Sequence, residues 1–180
     1  MMSEPRNLKP ESWFCTAERL MLLEFQAGKW IGTPFFPNSR SPGPRGGVSC
    51  QKLVEEIYRA CGFVDVRTPD VKMGHSQFSS RSLVEEFMGG LGDFARLERA
   101  MPEELMAGDL IAMRIGRVSH HLGIVMPPEG PGGRARGFIH AMRGLGVVVS
   151  SFMDGTWSAR LEAAWRPRRK PKAEGAKFEI

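Results

Sequence analysis

A cysteine at the start of a predicted helix is the first residue of this sequence that could do chemistry. Apolar residues recur at Val54, Ile57 and Cys61 after a run rich in Pro and Gly, and this spacing predicts a helix that begins near Cys50. Ser49 precedes it as a natural N-cap. Unpaired N–H groups at a helix N-terminus favour the thiolate, which is the nucleophilic form of cysteine. The position of Cys50 is therefore typical of a reactive cysteine, although a cysteine at such a place can also be a small apolar side chain that only packs.

Two histidines further along the chain are candidates for the base that such a nucleophile needs. His121 and His140 lie in segments with strand character, at residues 119–126 and 137–142, and the residues between these segments are rich in turn formers. A hairpin symmetric about that loop would place His121 directly opposite His140, with Cβ atoms about 4.5–5.5 Å apart. We therefore predict a cross-strand pair in which one imidazole bonds the other.

Together these residues predict nucleophilic catalysis at a carbonyl group. Cys50 would attack the carbonyl carbon, His121 would take and return the proton, and His140 would orient His121 and fix its tautomer. His121 rather than the adjacent His120 is expected to face the helix, because alternate residues of a strand point to opposite sides. Gly123 beside it leaves room for that helix. A metal site is the alternative, although no Cys-x-x-Cys or His-x-x-x-His spacing supports it.

The elements that must hold these residues are helices first and strands afterwards. Helices are predicted at about residues 12–28, 50–61 and 79–88, with Cys15 packed inside the first. Strands are predicted at residues 110–114, 119–126, 137–142 and 146–152, and a last strand or short helix at 157–165. Residues 38–47 read as a loop. This order indicates an α+β domain with an antiparallel sheet.

Length and charge indicate one folded domain with a basic end. The 180 residues are enough for one domain with a real core. The formal net charge is +5, and six basic residues against two acidic ones place +4 of it in residues 166–180. We therefore predict a single domain at residues 1–165 and a basic, disordered tail at 166–180. A nucleic-acid partner is not indicated, because the domain itself is nearly neutral.

The sequence contains no apolar span long enough for a membrane helix, and its first twelve residues lack the apolar core of a signal peptide. The chain is therefore expected in the cytoplasm as synthesised, unless another route exports it. Its three cysteines, an odd number at irregular spacing, argue against a disulfide framework and fit a reducing compartment.

At the residues described above, the chain resembles the NlpC/P60 family of papain-like cysteine peptidases. Members of that family order their catalytic residues as Cys, His and a third polar residue that is often His, and Cys50, His121 and His140 match that order. The similarity extends to residues 31–35, 108–111, 121–125 and 138–141. It implies an NlpC-type α+β fold, in which N-terminal helices pack on an antiparallel sheet of about four to six strands.

The resemblance also implies a function. It implies a hydrolase that cleaves an amide bond (peptide, γ-glutamyl or isopeptide) in bacterial cell-wall peptide or its fragments, with no cofactor. The partner would be a peptide or wall fragment, and a phage-tail or secretion assembly could carry the chain to the wall. Two alternatives stay open: a thiol-dependent acyltransferase or amidase on the same fold, and a catalytically inactive binding module.

Four residues are candidates for contacts to the substrate. Family members usually have Tyr where this chain has Phe35, and Asp-Cys-Ser where it has Ser49, Cys50 and Gln51. In the family, those Tyr, Asp and Ser side chains receive the free amino end of the wall peptide, so the replacements indicate a different pocket here. Arg45, in the Gly- and Pro-rich loop, is a candidate for holding a carboxylate.

Overall fold

The structure is a computed structural model that describes residues 12–63, 66, 68, 84, 88, 92–128 and 137–168. The helices in these ranges are α1 (Ala17–Gly28), α2 (Cys50–Ala60) and α3 (Gly155–Ser158). The strands are β1 (Arg40–Ser41), β2 (Gly47–Val48), β3 (Phe94–Arg96), β4 (Leu110–Ile115), β5 (Val118–Val125), β6 (Gly137–Met142), β7 (Gly146–Ser151) and β8 (Leu161–Pro167).

Within the described residues, one antiparallel sheet carries six strands in the order β3-β8-β4-β5-β6-β7, while β1 and β2 form a separate small hairpin. The predicted α+β class, with helices on an antiparallel sheet of four to six strands, is confirmed. β4 to β7 correspond to the four predicted strands, and the segment 157–165 contains both the end of α3 and most of β8. The sequence predicts no strand at β1, β2 or β3, which are only two or three residues long.

Apolar side chains cover both faces of this sheet. Leu53 and Ile57 of α2 pack with Leu122 in the larger cluster, whereas Val125 and Phe138 belong to a second cluster on the opposite face. The alternation of side chains along β5 produces this division. Each of these five residues is fully buried, and burial of such a side chain contributes roughly 1.5–3 kcal/mol. The packing of α2 on one face therefore sets where its N-terminus reaches the sheet.

The turn that enters β4 connects this strand to α2. Gly108 has φ +85° and a Cβ there would lie 2.1 Å from the ring of Phe14, so only glycine fits. Its carbonyl accepts a hydrogen bond from the Tyr58 hydroxyl at 2.8 Å. The next residue, Asp109, accepts two hydrogen bonds from Arg166, at 2.9 and 2.7 Å. Gly108 and Asp109, which begin the similar segment 108–111, thus hold the start of β4.

The boundary predicted between domain and tail is wrong by at least two residues. β8 runs to Pro167, and Arg166, which the sequence assigns to the tail, is 1% exposed. A buried guanidinium needs a partner to offset its desolvation, and Asp109, the residue before β4, supplies it. The tail from residue 169 onwards lies outside the described residues.

The first helix begins later than predicted. Thr16 is its N-cap in extended conformation, and its side chain accepts a hydrogen bond from the Arg19 N–H. Cys15 therefore precedes the helix and is exposed, so its predicted packing inside the helix is wrong. The cause is local, because a Thr side chain competes well for the first free N–H groups of a helix.

The helix predicted at residues 79–88 lies outside the described residues, except for Val84 and Met88. Both are helical and buried in the larger cluster. None of the helices in the described ranges combines the length and the apolar character that a membrane span requires.

Candidate active site

The start of α2 is built by its N-cap. Ser49 is extended, with φ −90° and ψ 163°, and its hydroxyl accepts a hydrogen bond from the Lys52 N–H at 3.4 Å. Its carbonyl also accepts from the Leu53 N–H at 2.9 Å. Cys50 is the first helical residue and is 5% exposed. The predicted helix start and its cap are confirmed.

The N-terminus of α2 meets β5 where β6 stops pairing with that strand. The β5–β6 register ends at the pair Gly123 and His140. Just before that point, the carbonyl oxygen of His120 accepts a hydrogen bond from Gln51 Nε2 at 3.2 Å and lies 4.0 Å from Cys50 Sγ. The helix therefore contacts backbone groups of β5 at the place where the neighbouring strand leaves them accessible.

Burial controls the ionisation of the thiol. It raises the pKa of Cys50 to about 11, although backbone hydrogen bonds at Leu122, Gln51 and Cys50 itself act to lower it. A helix terminus contributes typically 0.3–1 kcal/mol for an exposed charge, roughly one pKa unit or less, whereas burial can shift a pKa by up to about 3–5 units. The thiolate predicted from the helix N-terminus is thus disfavoured, and the thiol is protonated at neutral pH.

The two predicted histidines are in direct contact. His121 Nε2 and His140 Nδ1 lie 2.7 Å apart, and His140 Nε2 lies 2.8 Å from the Ser150 hydroxyl oxygen. The three side chains thus form a hydrogen-bonded chain across β5, β6 and β7, in which His140 uses both ring nitrogens. Among the described residues, no three His, Cys, Asp or Glu side chains are grouped so that they could hold a metal ion.

The register of the β5–β6 pair differs from the symmetric hairpin that the sequence predicts. His140 lies opposite Gly123, so it is a diagonal neighbour of His121 rather than its direct partner. A register shift of two residues keeps every side chain on its face of the sheet, whereas a shift of one would separate the two imidazoles. The predicted contact is therefore confirmed, and the predicted register is wrong because the turn is centred one residue later.

The expected role of Gly123 is also wrong. A Cβ at this position would lie 2.9 Å from the Phe138 ring and 3.0 Å from the Ile139 carbonyl oxygen, so the glycine makes room for β6 and not for a helix. α2 packs on the other face, with Leu122, so the expectation that His121 faces this helix is wrong. Cys50, at the start of α2, lies instead at the backbone edge of β5. Within the described residues, the hydrogen bonds of the Cys50 thiol go to backbone groups and not to the His121 imidazole.

A tryptophan that no sequence pattern marks covers the histidine pair. Trp157 at α3 stacks on His121, with ring centroids 5.9 Å apart and planes at 21°, and its centroid lies 4.9 Å from that of His140. Burial lowers the pKa of His121 well below 6.5, with the neighbouring positive groups acting in the same direction, and lowers the pKa of His140 to about 4. Both imidazoles are therefore neutral at pH 7.

Comparison with solved structures shows where this arrangement of strands and helices occurs. A lipoprotein-like protein of the NLP/P60 family from Staphylococcus aureus superposes with a TM-score of 0.57 and 21% identity, over 91% of this chain and 45% of its own. NlpC1 from Trichomonas vaginalis gives 0.56 and 18%, over 88% and 48%, and NlpC2 gives 0.56 and 17%, over 94% and 51%. This chain has the NlpC/P60 fold. It spans about half the length of these proteins, and neither a family model nor a curated protein matches it.

Two of the four predicted substrate residues have partners inside this NlpC/P60 fold. The hydroxyl of Ser49 caps α2, and the amide of Gln51 is tied to the backbone of β5. Phe35 is half-buried and forms a bridge with Val48, two residues before Cys50, whereas Arg45 is exposed. Three of the four therefore lie around the start of α2. Their contact with a substrate stays a prediction.

A buried carboxylate holds α2 within the NlpC/P60 fold. Glu55 is fully buried and lies 2.6 Å from the guanidinium of Arg40 and 3.2 Å from the ammonium of Lys52. It also accepts hydrogen bonds from the backbone and the hydroxyl of Thr68, at 2.6 and 2.7 Å. These partners offset the cost of burying the charge, and they join the helix to β1. No sequence pattern predicts this cluster, since its members are up to 28 positions apart and share no motif.

Proposed function

We propose that this chain is a cysteine hydrolase of the NlpC/P60 type that cleaves an amide bond in bacterial cell-wall peptide or its fragments. The observation that carries the proposal is the 2.7 Å contact between His121 Nε2 and His140 Nδ1, one residue along β5 from the carbonyl that Cys50 approaches. The fold and the order of these three residues agree with that activity. In this proposal Cys50 is the nucleophile, His121 the base and His140 the residue that orients the base.

In this proposal, one nitrogen of His121 carries out the proton transfers. Because Nε2 is engaged by His140, Nδ1 is the atom for acid–base work. As Cys50 Sγ attacks the carbonyl carbon, the thiol proton passes to Nδ1. The C–N bond then breaks, and the leaving amine takes that proton. Water attacks the thioester with Nδ1 again as the base, which releases the acid and restores the thiol.

A neutral thiol and neutral imidazoles are compatible with these steps. A thiol whose pKa is raised to about 11 and imidazoles whose pKa values are lowered do not form an ion pair at rest. The proton therefore moves during the attack and not before it. In proteins without substrate, catalytic hydrogen bonds are often long and tighten only when the substrate binds. We propose that Cys50 Sγ turns from the His120 carbonyl towards His121 Nδ1 at that stage.

The test is digestion of purified cell wall and of soluble wall peptides, with new amino groups and product masses as the readout. Wild type is expected to release new amino groups, and Cys50→Ala is expected to release none. Cys61→Ala is the matched control, since Cys61 is also a buried cysteine of the same helix region. Full activity in the Cys50→Ala variant would contradict the proposal. The appearance of acyl products on an added amine would instead indicate an acyltransferase, and binding without turnover would indicate an inactive module.

A further inference from the structure

The hydrogen-bonded chain of the two histidines ends at a serine on β7. Ser150 lies opposite Phe138, and its hydroxyl oxygen is 2.8 Å from His140 Nε2. His140 is fully buried, and Ser150 is half-buried. The local sequence does not identify this serine as functional, since it follows a run of valines in an ordinary strand. Because Ser150 ends this hydrogen-bonded chain, the direction of its hydrogen bond with His140 decides which imidazole nitrogens carry protons.

With both imidazoles neutral, the hydrogen bonds of this chain can be arranged in two ways, and the donors point in opposite directions in the two. In the first, His140 Nε2–H donates to Ser150, and His121 Nε2–H donates to His140 Nδ1. His121 Nδ1 then carries a lone pair and can act as a base. In the second, the Ser150 O–H donates to His140 Nε2, and His140 Nδ1–H donates to His121 Nε2. His121 Nδ1 then carries a proton and cannot accept one.

We propose that Ser150 is the acceptor at the end of this chain and thereby holds His121 in the tautomer that can act as a base. Ser150 is then a positioning residue, which acts on the reaction through His140 without touching the substrate. This inference rests on the proposed function for its consequence in catalysis, although the tautomers themselves can be measured without it.

Two physical arguments favour this direction. The Nε2–H form is the more stable tautomer of a neutral imidazole in water, and the first arrangement places both histidines in that form. In addition, the first arrangement gives each imidazole N–H an acceptor within the chain, whereas in the second the Nδ1–H of His121 needs an acceptor outside it. The Ser150 oxygen is the acceptor for His140, and a half-buried hydroxyl can direct its own proton to solvent. The second arrangement would need both histidines in the less stable form.

The experiment that tests the tautomers is a long-range ¹H–¹⁵N NMR spectrum of the imidazoles in the full chain at neutral pH. His121→Gln and His140→Gln serve only to assign the signals. In wild type, we expect a protonated Nε2 and an unprotonated Nδ1 on both His121 and His140. A proton on Nδ1 of His121 in wild type would overturn the inference, and this readout requires no variant of Ser150.

Variants of the serine test its causal role. Ser150→Ala removes the acceptor, so we expect the Nδ1–H form to become populated on His140 and kcat to fall roughly tenfold, which is the size of one net hydrogen bond. Ser150→Thr keeps a hydroxyl on the strand and should restore both the spectrum and kcat. Ser151→Ala is the matched control, because Ser151 is exposed and accepts from the Met153 N–H.

An unchanged imidazole spectrum in a folded Ser150→Ala protein would overturn the inference. So would a Ser150→Thr spectrum that matches Ser150→Ala rather than wild type. Failure of the proposed function has a different mark: no hydrolysis by wild type, with the tautomers as expected. The two failures are therefore distinguishable, since one is seen in the spectrum and the other in turnover.

Discussion

His140 lies opposite Gly123 on the neighbouring strand, yet its imidazole reaches back to His121, with 2.7 Å between His140 Nδ1 and His121 Nε2. The diagonal contact leaves the position opposite His140 to a glycine, which gives the Phe138 ring and the Ile139 carbonyl the space they need. It also directs the second nitrogen of His140 to β7. The proposed base is therefore oriented by two neighbouring strands of the sheet and not by one.

The first prediction concerns the reactivity of the thiol. Because burial raises the pKa of Cys50 to about 11, alkylation by iodoacetamide should be slow at neutral pH and rise only towards alkaline pH. The experiment uses a Cys15→Ser background, because Cys15 is exposed, with peptide mass spectrometry to identify the modified thiol. Alkylation of Cys50 that persists well below the free-thiol pKa of about 8.5 would contradict this prediction, because it would show that the folded protein stabilises the thiolate.

The second prediction concerns stability against pH. The pKa of His140 is lowered to about 4 in the folded protein, against an ordinary value of 6.5, so below pH 6.5 the unfolded chain takes up a proton that the folded chain does not. The free energy of unfolding should therefore fall as pH drops from 6.5 to 4. The contribution of His140 is at most about 3 kcal/mol.

The measurement for this pH dependence is urea unfolding of wild type and of His140→Asn across the window. His140→Asn removes one titrating group, so its unfolding free energy should fall less steeply than that of wild type. Equal slopes for wild type and His140→Asn would show that His140 titrates normally in the folded protein.

The third prediction concerns Gln51. Its side chain donates to the His120 carbonyl at 3.2 Å and so joins the start of α2 to β5 beside Cys50. Gln51→Leu keeps the volume but removes the amide donor to that carbonyl, so we expect kcat to fall roughly tenfold, with little change in KM. Steady-state kinetics on a wall peptide measures this. A rise in KM at constant kcat would instead identify Gln51 as a residue that binds the substrate.

The fourth prediction concerns the buried ion pair at the start of β4. Arg166→Met leaves Asp109 buried without its guanidinium partner, and loss of one member of such a pair costs about 3–5 kcal/mol. Chemical denaturation should show this loss. Arg168→Met, at an exposed basic residue two positions further on, is the control and should change stability by less than about 0.5 kcal/mol. Equal stabilities of the two variants would contradict a structural role for Arg166.

Local features of the chain could be predicted because neighbouring residues cause them. The start of α2 at Cys50 follows from the Ser49 cap and the apolar spacing of the next turns, and both belong to one short segment. β4 to β7 follow from alternating apolar residues and from turn formers between them. The contact of His121 with His140 could be predicted for the same reason. An error of two residues in the register still leaves both side chains on the correct face of the sheet.

The ionisation of the thiol was decided by the tertiary structure. Desolvation of Cys50 comes from β5 and the surrounding core, which no pattern within the helix contains, and it outweighs the helix terminus that the sequence shows. The burial of Arg166 has the same origin, because its partner Asp109 lies 57 positions earlier in the chain.

Taken by itself, the sequence determined which residues could react and on which elements they lie, since side-chain type, capping and periodicity are properties of short segments. The tertiary structure decided how those residues are protonated and what holds them. Ser150 and Trp157 join the histidine pair only through strand pairing and packing. Burial and long-range register depend on residues far apart in the chain, so the free energies that set the protonation states of the site exist only in the folded molecule.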